Sequence, residues 1–142
     1  MLAADSRSFV STLTAPLDGN APAGIDLRRD TSPDSLYFRL RDARSQARAA
    51  ERATEYEPDA TGSGGAAWND VGKLASEALA DKTKDLEIAA WLTESLVRSD
   101  GLHGLAAGAQ ILAGLVSGFG TPMFIRCRMR TEWKGGWRRS AG

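Results

Sequence analysis

The spacing of apolar residues constrains the fold most, because through most of the chain they recur three and four positions apart. Side chains at that spacing share one face of an α-helix, whereas a half-buried strand requires strict alternation, and no segment before residue 118 alternates convincingly. The pattern therefore predicts an all-α fold. We predict a compact antiparallel domain of about five helices, with an ordered proline- and glycine-rich loop near the N-terminus and an irregular C-terminal tail.

Capping residues and prolines set the expected limits of the first two helices. Asp5 is the expected cap of the first helix, which should end before Pro16. Ser32 and Pro33 match the N-cap and first-turn proline of the second helix. Its apolar spacing continues to about Tyr56.

A third and a fourth helix are expected after a glycine-rich loop at residues 58–65. Asn69 is the expected cap of the third helix, and Thr83 is the expected cap of the fourth. The fourth helix has the broadest apolar surface, so we expect it to be central.

A turn at Asp100 and Gly101 is expected to separate the fourth helix from the fifth. On the fifth helix, Gly104 and Gly108 lie one turn apart, which indicates close approach of a neighbouring helix. The helix itself is marked by an apolar stripe at spacings of three and four: Leu102, Leu105, Ala109, Leu112 and Val116.

The composition is that of an ordinary globular protein, since 42% of the residues are hydrophobic and 25% are charged. The longest apolar stretch, residues 102–116, is interrupted by His103 and Gln110 and falls short of the ~20 apolar residues of a membrane span. No signal peptide is visible, and the single Cys127 forbids an internal disulfide or a multi-cysteine zinc site. We therefore expect a soluble cytoplasmic protein.

Few side chains point to catalysis. The only histidine, His103, has no nearby cysteine or second histidine, which favours an exposed helix residue over a ligand or base. Asp30 and Asp34 continue a spacing of four from Asp26, but no EF-hand pattern is present, so capping or loop bonds explain them more simply than a cation. An enzyme would have to draw on five ionisable residues that no spacing links: Asp26, Arg28, Lys84, Asp85 and His103.

Two further sets of residues have both a functional and a structural interpretation. Trp68 and Trp91 could stack on bases or sugars, but both fall in apolar helical stripes, which favours core positions. The arginines of the second helix could bind phosphate or an acidic partner. A solvated face balanced by Glu51, Glu55 and Glu57 is the favoured interpretation.

Three blocks of the sequence resemble a known family. They are PLDGNAPAGIDLRRD at residues 16–30, the WNDV helix start at residues 68–71, and TKDLEIAAWLTESLVRSDGLHGLAAGAQIL at residues 83–112. Their order and spacing are similar to the ImpA-related N-terminal domain of the TssA proteins of bacterial type VI secretion. The positions that carry the resemblance are Pro16, Leu17, Asp18, Gly19, Gly24, Asp26, Leu27, Arg28, Asp30, Trp68, Thr83, Lys84, Asp85, Leu86, Trp91, Leu92, Thr93, Glu94, Gly101, Leu102, Gly104 and Leu105.

The resemblance implies a structural protein and not an enzyme. Proteins of this family are cytoplasmic scaffolds that associate with the baseplate and with the tube and sheath of the secretion machine, and regions C-terminal to this domain often form ring-shaped oligomers. The resemblance implies no catalytic residue, metal or cofactor, and it gives the motif residues structural or interaction roles. Asp26 and Arg28 are expected to fix the loop by a charge-assisted bond, with Trp91 and Leu92 in the core.

The C-terminal tail differs in charge from the rest of the chain. Residues 118–142 contain six basic side chains and one acidic one, a net charge of +5, whereas residues 1–117 carry −5. One interpretation is an authentic tail that binds nucleic acid or an anionic membrane through its arginines, Trp133 and Trp137.

The favoured interpretation is a change of reading frame. A back-translation of residues 119–137 with one inserted T reads FWDTHVYPLPDEDG, which matches the tryptophan-aspartate, aromatic-proline and acidic segments of the family. We therefore predict a family domain at residues 1–118, and an out-of-frame tail of a once longer protein at residues 119–142.

Overall fold

The computed structural model describes residues 3–56 and 63–120, and its regular elements in these ranges are helices. No β-strand occurs there, and the only strand-like feature is an isolated antiparallel bridge between Gly24 and Thr83. The predicted all-α class is therefore confirmed. The elements are α1 (Ala3–Thr14), a 3-10 turn (Leu27–Arg29), α2 (Leu36–Tyr56), α3 (Ser63–Asp81) and α4 (Leu86–Phe119).

The longest helix, α4, is broken at Gly101. The backbone of this residue is not helical (φ 58°, ψ −128°), in a region that favours glycine. The break divides α4 into a first arm, residues 86–100, and a second arm, residues 102–119. With the arms counted separately, the described chain contains five helical rods, and the fourth and fifth are separated at the predicted turn.

The two arms fold back on each other through glycine contacts. A Cβ atom on Gly104 would lie 1.9 Å from the carbonyl oxygen of Leu96. A Cβ atom on Gly108 would lie 2.4 Å from the side chain of Thr93. The predicted close approach at these two glycines is confirmed, and the neighbour is the first arm of the same helix.

The core forms around α3, which contacts each of the other three helices. The predicted fourth helix, which is the first arm of α4, also supplies buried residues to this core: Ile88, Ala89, Trp91 and Leu92. Ala75 and Ala78 of α3 are completely buried, and such small side chains let neighbouring helices come close. The buried apolar residues are Leu13, Leu27, Leu40, Ala47, Trp68, Val71, Ala75, Ala78, Leu79, Ile88, Ala89, Trp91, Leu92, Ile111 and Leu115.

Helix α2 begins later than predicted. The segment from Ser32 to Ser35 forms a turn, in which the Ser35 N–H donates to the Ser32 carbonyl oxygen at 3.1 Å. The Ser35 hydroxyl then accepts from the Phe38 N–H at 3.4 Å. Ser35 therefore occupies the capping position expected for Ser32, and the helix ends at Tyr56 as predicted.

The other helix starts also differ from expectation. Helix α1 begins at Ala3, which places Asp5 inside its first turn. Helix α3 begins at Ser63 within the predicted loop, so Asn69 lies inside the helix and is not its cap. Asp85 and not Thr83 caps α4. The rest of the predicted loop up to residue 62, and the predicted tail beyond residue 120, lie outside the described residues.

The second arm of α4 packs mainly through a face beside the expected one, although Leu112 of the predicted stripe also packs against the core. Gly104, Gly108, Ile111 and Leu115 are buried, whereas Leu102 of the predicted stripe is 83% exposed. Glycines bring the helix axes closer than leucines allow, so the glycine-containing face gains more contact with the first arm.

By length and composition alone, α4 is long and apolar enough to cross a membrane. The break at Gly101 leaves two arms that are each shorter than the ~20 residues a span requires. Ile88 and Leu92 of the first arm are buried in the core, so this arm is part of the helical packing.

Candidate functional site

The N-terminal loop is joined to the connection between α3 and α4 by backbone hydrogen bonds. The Ile25 N–H donates to the Lys82 carbonyl oxygen at 2.9 Å, and the Lys84 N–H donates to the Ala23 carbonyl oxygen at 2.8 Å. Gly24 lies between them with φ +76°, and a Cβ there would be 2.1 Å from the Lys82 oxygen. Only glycine fits this position without displacing the backbone.

Arg28 links the same loop to the start of α4. Its backbone N–H and its guanidinium donate to the Asp26 carboxylate at 3.1 and 3.0 Å. The guanidinium also donates to Asp85 and, at 2.9 Å, to Glu87. Asp85 in turn accepts from the Glu87 N–H at 2.8 Å and caps α4. We call this cluster of Asp26, Arg28, Asp85 and Glu87 the polar junction.

Charge pairing dominates the electrostatics of the polar junction. Partial burial of Arg28 opposes its charged form, but the hydrogen bonds and charges of Asp85, Asp26 and Glu87 outweigh this and raise the pKa of the guanidinium. The Arg28 guanidinium therefore remains a fixed cation.

Tyr37 borders the polar junction on the side of α2. Its hydroxyl donates to Glu87 at 3.4 Å, and its ring lies 5.4 Å from the guanidinium carbon of Arg28 and 5.7 Å from the Trp91 ring. Burial first, and then the charge of Glu87, raise the pKa of the phenol. Tyr37 therefore connects the junction to the aromatic part of the core.

Lys84 lies beside the polar junction and is completely buried. Its Nζ donates to the Leu79 carbonyl oxygen at 2.6 Å and to the Leu13 carbonyl oxygen at 2.9 Å. These carbonyls belong to the last turns of α3 and α1, where the helix dipole favours a cation. Burial lowers the pKa of Lys84, and the more distant charge of Asp81 opposes the shift. One side chain therefore holds two helix ends.

A second group of charges joins α2 to the first arm of α4. Glu94 accepts from Arg44 at 2.6 Å and from Arg48 at 2.9 Å, while Arg98 donates two hydrogen bonds to Glu51, both at 2.9 Å. Burial opposes ionisation of Glu94, but the hydrogen bonds from the two arginines outweigh it and lower the pKa of the carboxyl. The α2 arginines Arg44 and Arg48 are thus paired with α4 and not with the acids of their own helix.

Both tryptophans discussed above lie in the core, where arginines cover their rings. Trp68 is 2% exposed, and the guanidinium carbon of Arg98 lies 4.1 Å from its ring centroid. Trp91 is 9% exposed, and Arg44 lies 5.3 Å from its ring. Neither ring is available for stacking on a base or a sugar.

The structure brings part of the predicted motif set together and leaves the rest apart. Gly24, Asp26, Arg28, Lys84 and Asp85 meet at or beside the polar junction, although no sequence spacing links them. Pro16, Asp18 and Gly19 are exposed on the loop, and Leu17 borders Gly24. Asp30 is exposed and accepts from the Ser32 hydroxyl at 2.6 Å. Thr83, Leu27 and Leu92 are buried, Leu86 packs against the core, and Leu102 and Leu105 are exposed.

Sequence reasoning did not identify Glu87 and Tyr37 as members of this site. Glu87 could have been found as a second acid in the first turn of α4. The contact of Tyr37 with the junction depends on how α2 crosses α4, so no local pattern signals it.

His103 lies apart from the polar junction, in a groove between α1 and the two arms of α4. The groove has a volume of about 610 Å³ and is also lined by Arg7, Phe9, Leu96 and Asp100. In residues 3–56 and 63–120 no three His, Cys, Asp or Glu side chains converge in a way that could hold a metal ion.

Comparison with known families accounts for this arrangement of motifs. A family model described as ImpA, N-terminal, type VI secretion system matches residues 14–135. The chain belongs to this ImpA N-terminal family. The match begins at the last residue of α1, includes the whole polar junction, and continues past the domain limit predicted at residue 118. Searches of curated proteins and of solved structures returned no match. Membership of the ImpA family associates the chain with the type VI secretion system.

Proposed function

We propose that the chain is a non-enzymatic assembly module of type VI secretion, a cytoplasmic scaffold that associates with baseplate, sheath and tube proteins. Family membership supports the secretion context. The scaffold role and the baseplate, sheath and tube partners are proposed in addition to this context.

The use of the ionisable motif residues supports a structural role most directly. Arg28 is held by three carboxylates, Asp85 caps a helix, and Lys84 is buried against two carbonyl oxygens. A general acid, base or nucleophile must reach a substrate, and these groups are committed to bonds within the chain. Their chemistry serves the placement of the loop and the helix ends.

The proposal is tested by capture experiments with separately purified baseplate, sheath and tube proteins. The full chain should retain at least one of them, and His103→Ala should retain it equally well. Leu92→Asp, which places a charge in the core, is the unfolded control and should lose the partner. Failure of the folded chain to retain any of these components would overturn the scaffold role.

We further propose that residues 1–118 are the family domain and that residues 119–142 arise from a shifted reading frame. The back-translated match described above supports this. Resequencing the coding DNA from codon 110 past the stop tests it, and an added T or a long continuing frame is the expected result. An unchanged sequence without such a frame would contradict it.

The alternative function is binding of nucleic acid or anionic membrane by the tail. The charge of the tail supports this alternative, because residues 118–142 contain six basic side chains and only one acidic side chain. Strong salt-dependent binding to DNA or anionic vesicles, lost when residues 120–142 are removed, is the result that this alternative requires. Absence of binding at low salt would exclude it.

A further inference from the structure

Helix α4 departs from helical geometry at a single residue. Within residues 86–119 the backbone is helical except at Gly101, which we call the hinge. No proline occurs in this range. Residues 97–103 are exposed, and a Cβ atom on Gly101 would have open space around it in the described part of the chain. A change of the backbone angles at the hinge is therefore enough to make α4 one straight helix, and it displaces no buried side chain at the hinge itself.

The buried face of the second arm and the part of the first arm that it meets would lie on one face of this straight helix. Gly104 packs against the Leu96 carbonyl, and Gly108 packs against the Thr93 side chain. With the two buried aliphatic residues of the second arm, these positions fall within about 120° of each other at ~100° per residue. We call the set the contact stripe, and its members are Thr93, Leu96, Gly104, Gly108, Ile111 and Leu115.

Straightening of one isolated chain would expose the second arm. Ile111 and Leu115 are completely buried, so their transfer to water would be unfavourable. The surface that fits the second arm is the first arm, because its glycines meet the first arm so closely that a methyl group on either would collide. A second copy of this chain presents the same surface. The fit within one chain therefore specifies what would cover the second arm after straightening.

We propose that two copies of the chain exchange their second arms. In this dimer α4 is straight in both copies, and each second arm packs against the first arm and α1 of the other copy, so the contacts of the monomer form between chains. Helix α1 stays with the first arm, because Lys84, directly before Asp85 and α4, donates to the Leu13 carbonyl oxygen at 2.9 Å. The exchange lies within this domain and is separate from the scaffold role and from oligomerisation through regions C-terminal to the domain.

Gly101→Ala tests the hinge by light scattering of the full chain. The wild type should reach twice the 15.1 kDa of one chain at high concentration. Alanine disfavours the positive φ of the hairpin and favours a helical hinge, so Gly101→Ala should lower the dimer dissociation constant about tenfold or more. Gly118→Ala is the matched control, since it adds the same methyl group to open space on the second arm, and it should leave the dissociation constant unchanged. Circular dichroism checks that both variants keep their helices.

Insertion of three glycines after Gly101 is the opposite change. The longer connection relaxes the turn between the arms and interrupts the straight helix, so the chain should be monomeric at the concentrations where the wild type is a dimer. A dimer that survives this insertion would be held by some other surface and would overturn the exchange.

Two single-cysteine chains test which contacts form between copies. A Cβ atom on Gly114 would lie 3.2 Å from the Thr14 side chain of α1, close to the ~3.8 Å between the Cβ atoms of a disulfide. Thr14→Cys and Gly114→Cys, each in a Cys127→Ser background, should form a mixed disulfide-linked dimer after refolding together at high concentration. Neither chain should form one alone, and the three-glycine insertion in both chains should prevent it.

The mixed disulfide decides the question even if Gly101→Ala does not fold, because its hinge is native. Its absence from the concentrated mixture would overturn the proposal. So would a wild type and a folded Gly101→Ala that both remain monomeric at all concentrations.

Discussion

Arg28 and Asp85, separated by 57 positions in sequence, form a hydrogen-bonded ion pair in which the carboxylate is almost completely buried. Asp85 caps α4 while Arg28 belongs to the N-terminal loop, so one pair fixes both. Removal of Arg28 leaves the Asp85 carboxylate without its counter-charge in a poorly solvated place.

Arg28→Ala should therefore lower the free energy of unfolding by about 2–3 kcal/mol, since it leaves buried Asp85 unpaired. Urea unfolding followed by circular dichroism measures the change. Arg29→Ala, at an exposed neighbouring position, should stay within ~0.5 kcal/mol of the wild type. Equal changes in the free energy of unfolding for the two variants would show that the polar junction does not stabilise the fold.

Gly24→Ala should destabilise the chain by about 2–4 kcal/mol, because a methyl group would collide with the Lys82 carbonyl and the positive φ would be strained. Gly19→Ala is the matched control, since Gly19 also has positive φ but has open space around it. Gly19→Ala should lower the free energy of unfolding by only ~1 kcal/mol. Thermal unfolding of both variants separates collision from strain, and equal losses would contradict the tight contact at Gly24.

Gly108→Ala and Gly118→Ala should change the free energy of unfolding in opposite directions. A methyl group at Gly108 would meet the Thr93 side chain and push the arms of α4 apart, costing about 1–3 kcal/mol. Gly118 lies in open space on the same arm, so alanine there should stabilise the helix by up to ~1 kcal/mol. Urea midpoints of both variants test this. Stabilisation by both substitutions would mean that the arms are not in close contact.

Glu94→Gln should destabilise the chain by about 1 kcal/mol near neutral pH, where the carboxylate pairs with Arg44 and Arg48. The pKa of Glu94 is lower in the folded chain than in the unfolded chain. The ionised carboxylate therefore stabilises the fold at pH values above its unfolded pKa, and this stabilisation is lost as the pH falls through its folded pKa. The difference in unfolding free energy between wild type and variant should therefore shrink below pH 4.5. A difference that does not change with acid would contradict this pairing.

Lys84 gives a pH dependence of the opposite kind. Its pKa is lowered by burial, so above the folded value the unfolded chain binds more protons than the folded one, and stability rises with pH up to the ordinary value of 10.5. Compared with Lys84→Met, the wild type should therefore gain stability between neutral pH and pH 10.5. A loss over this interval would mean that the helix ends raise the pKa of Lys84.

Helix periodicity could predict the main rods because it reports which residues share a face. It located the end of α2 at Tyr56 and the turn at Gly101. It could not decide which face of the second arm packs inward, because the glycine face and the leucine face have the same spacing. The face that packs inward is the one that lets the two helix axes come closest, and how close they come depends on the surface of the first arm.

The candidate site was less accessible to sequence reasoning. The bond between Asp26 and Arg28 spans two positions and could be expected from the loop alone. The contact of Arg28 with Asp85 closes a segment of 57 residues, and no spacing rule applies over that distance. No spacing rule predicts the hydrogen bonds of Lys84 either, because its acceptors are carbonyl oxygens at the ends of α1 and α3.

The hydrogen bond from Lys84 to Leu13 also bears on the order of folding. It joins residues 71 positions apart, whereas the arms of α4 meet across a single turn. Contacts between distant parts of a chain carry a larger loop-closure cost and tend to form later. We therefore expect the α4 hairpin to form early and α1 to dock last, so that α1 amides lose hydrogen-exchange protection before those of α3.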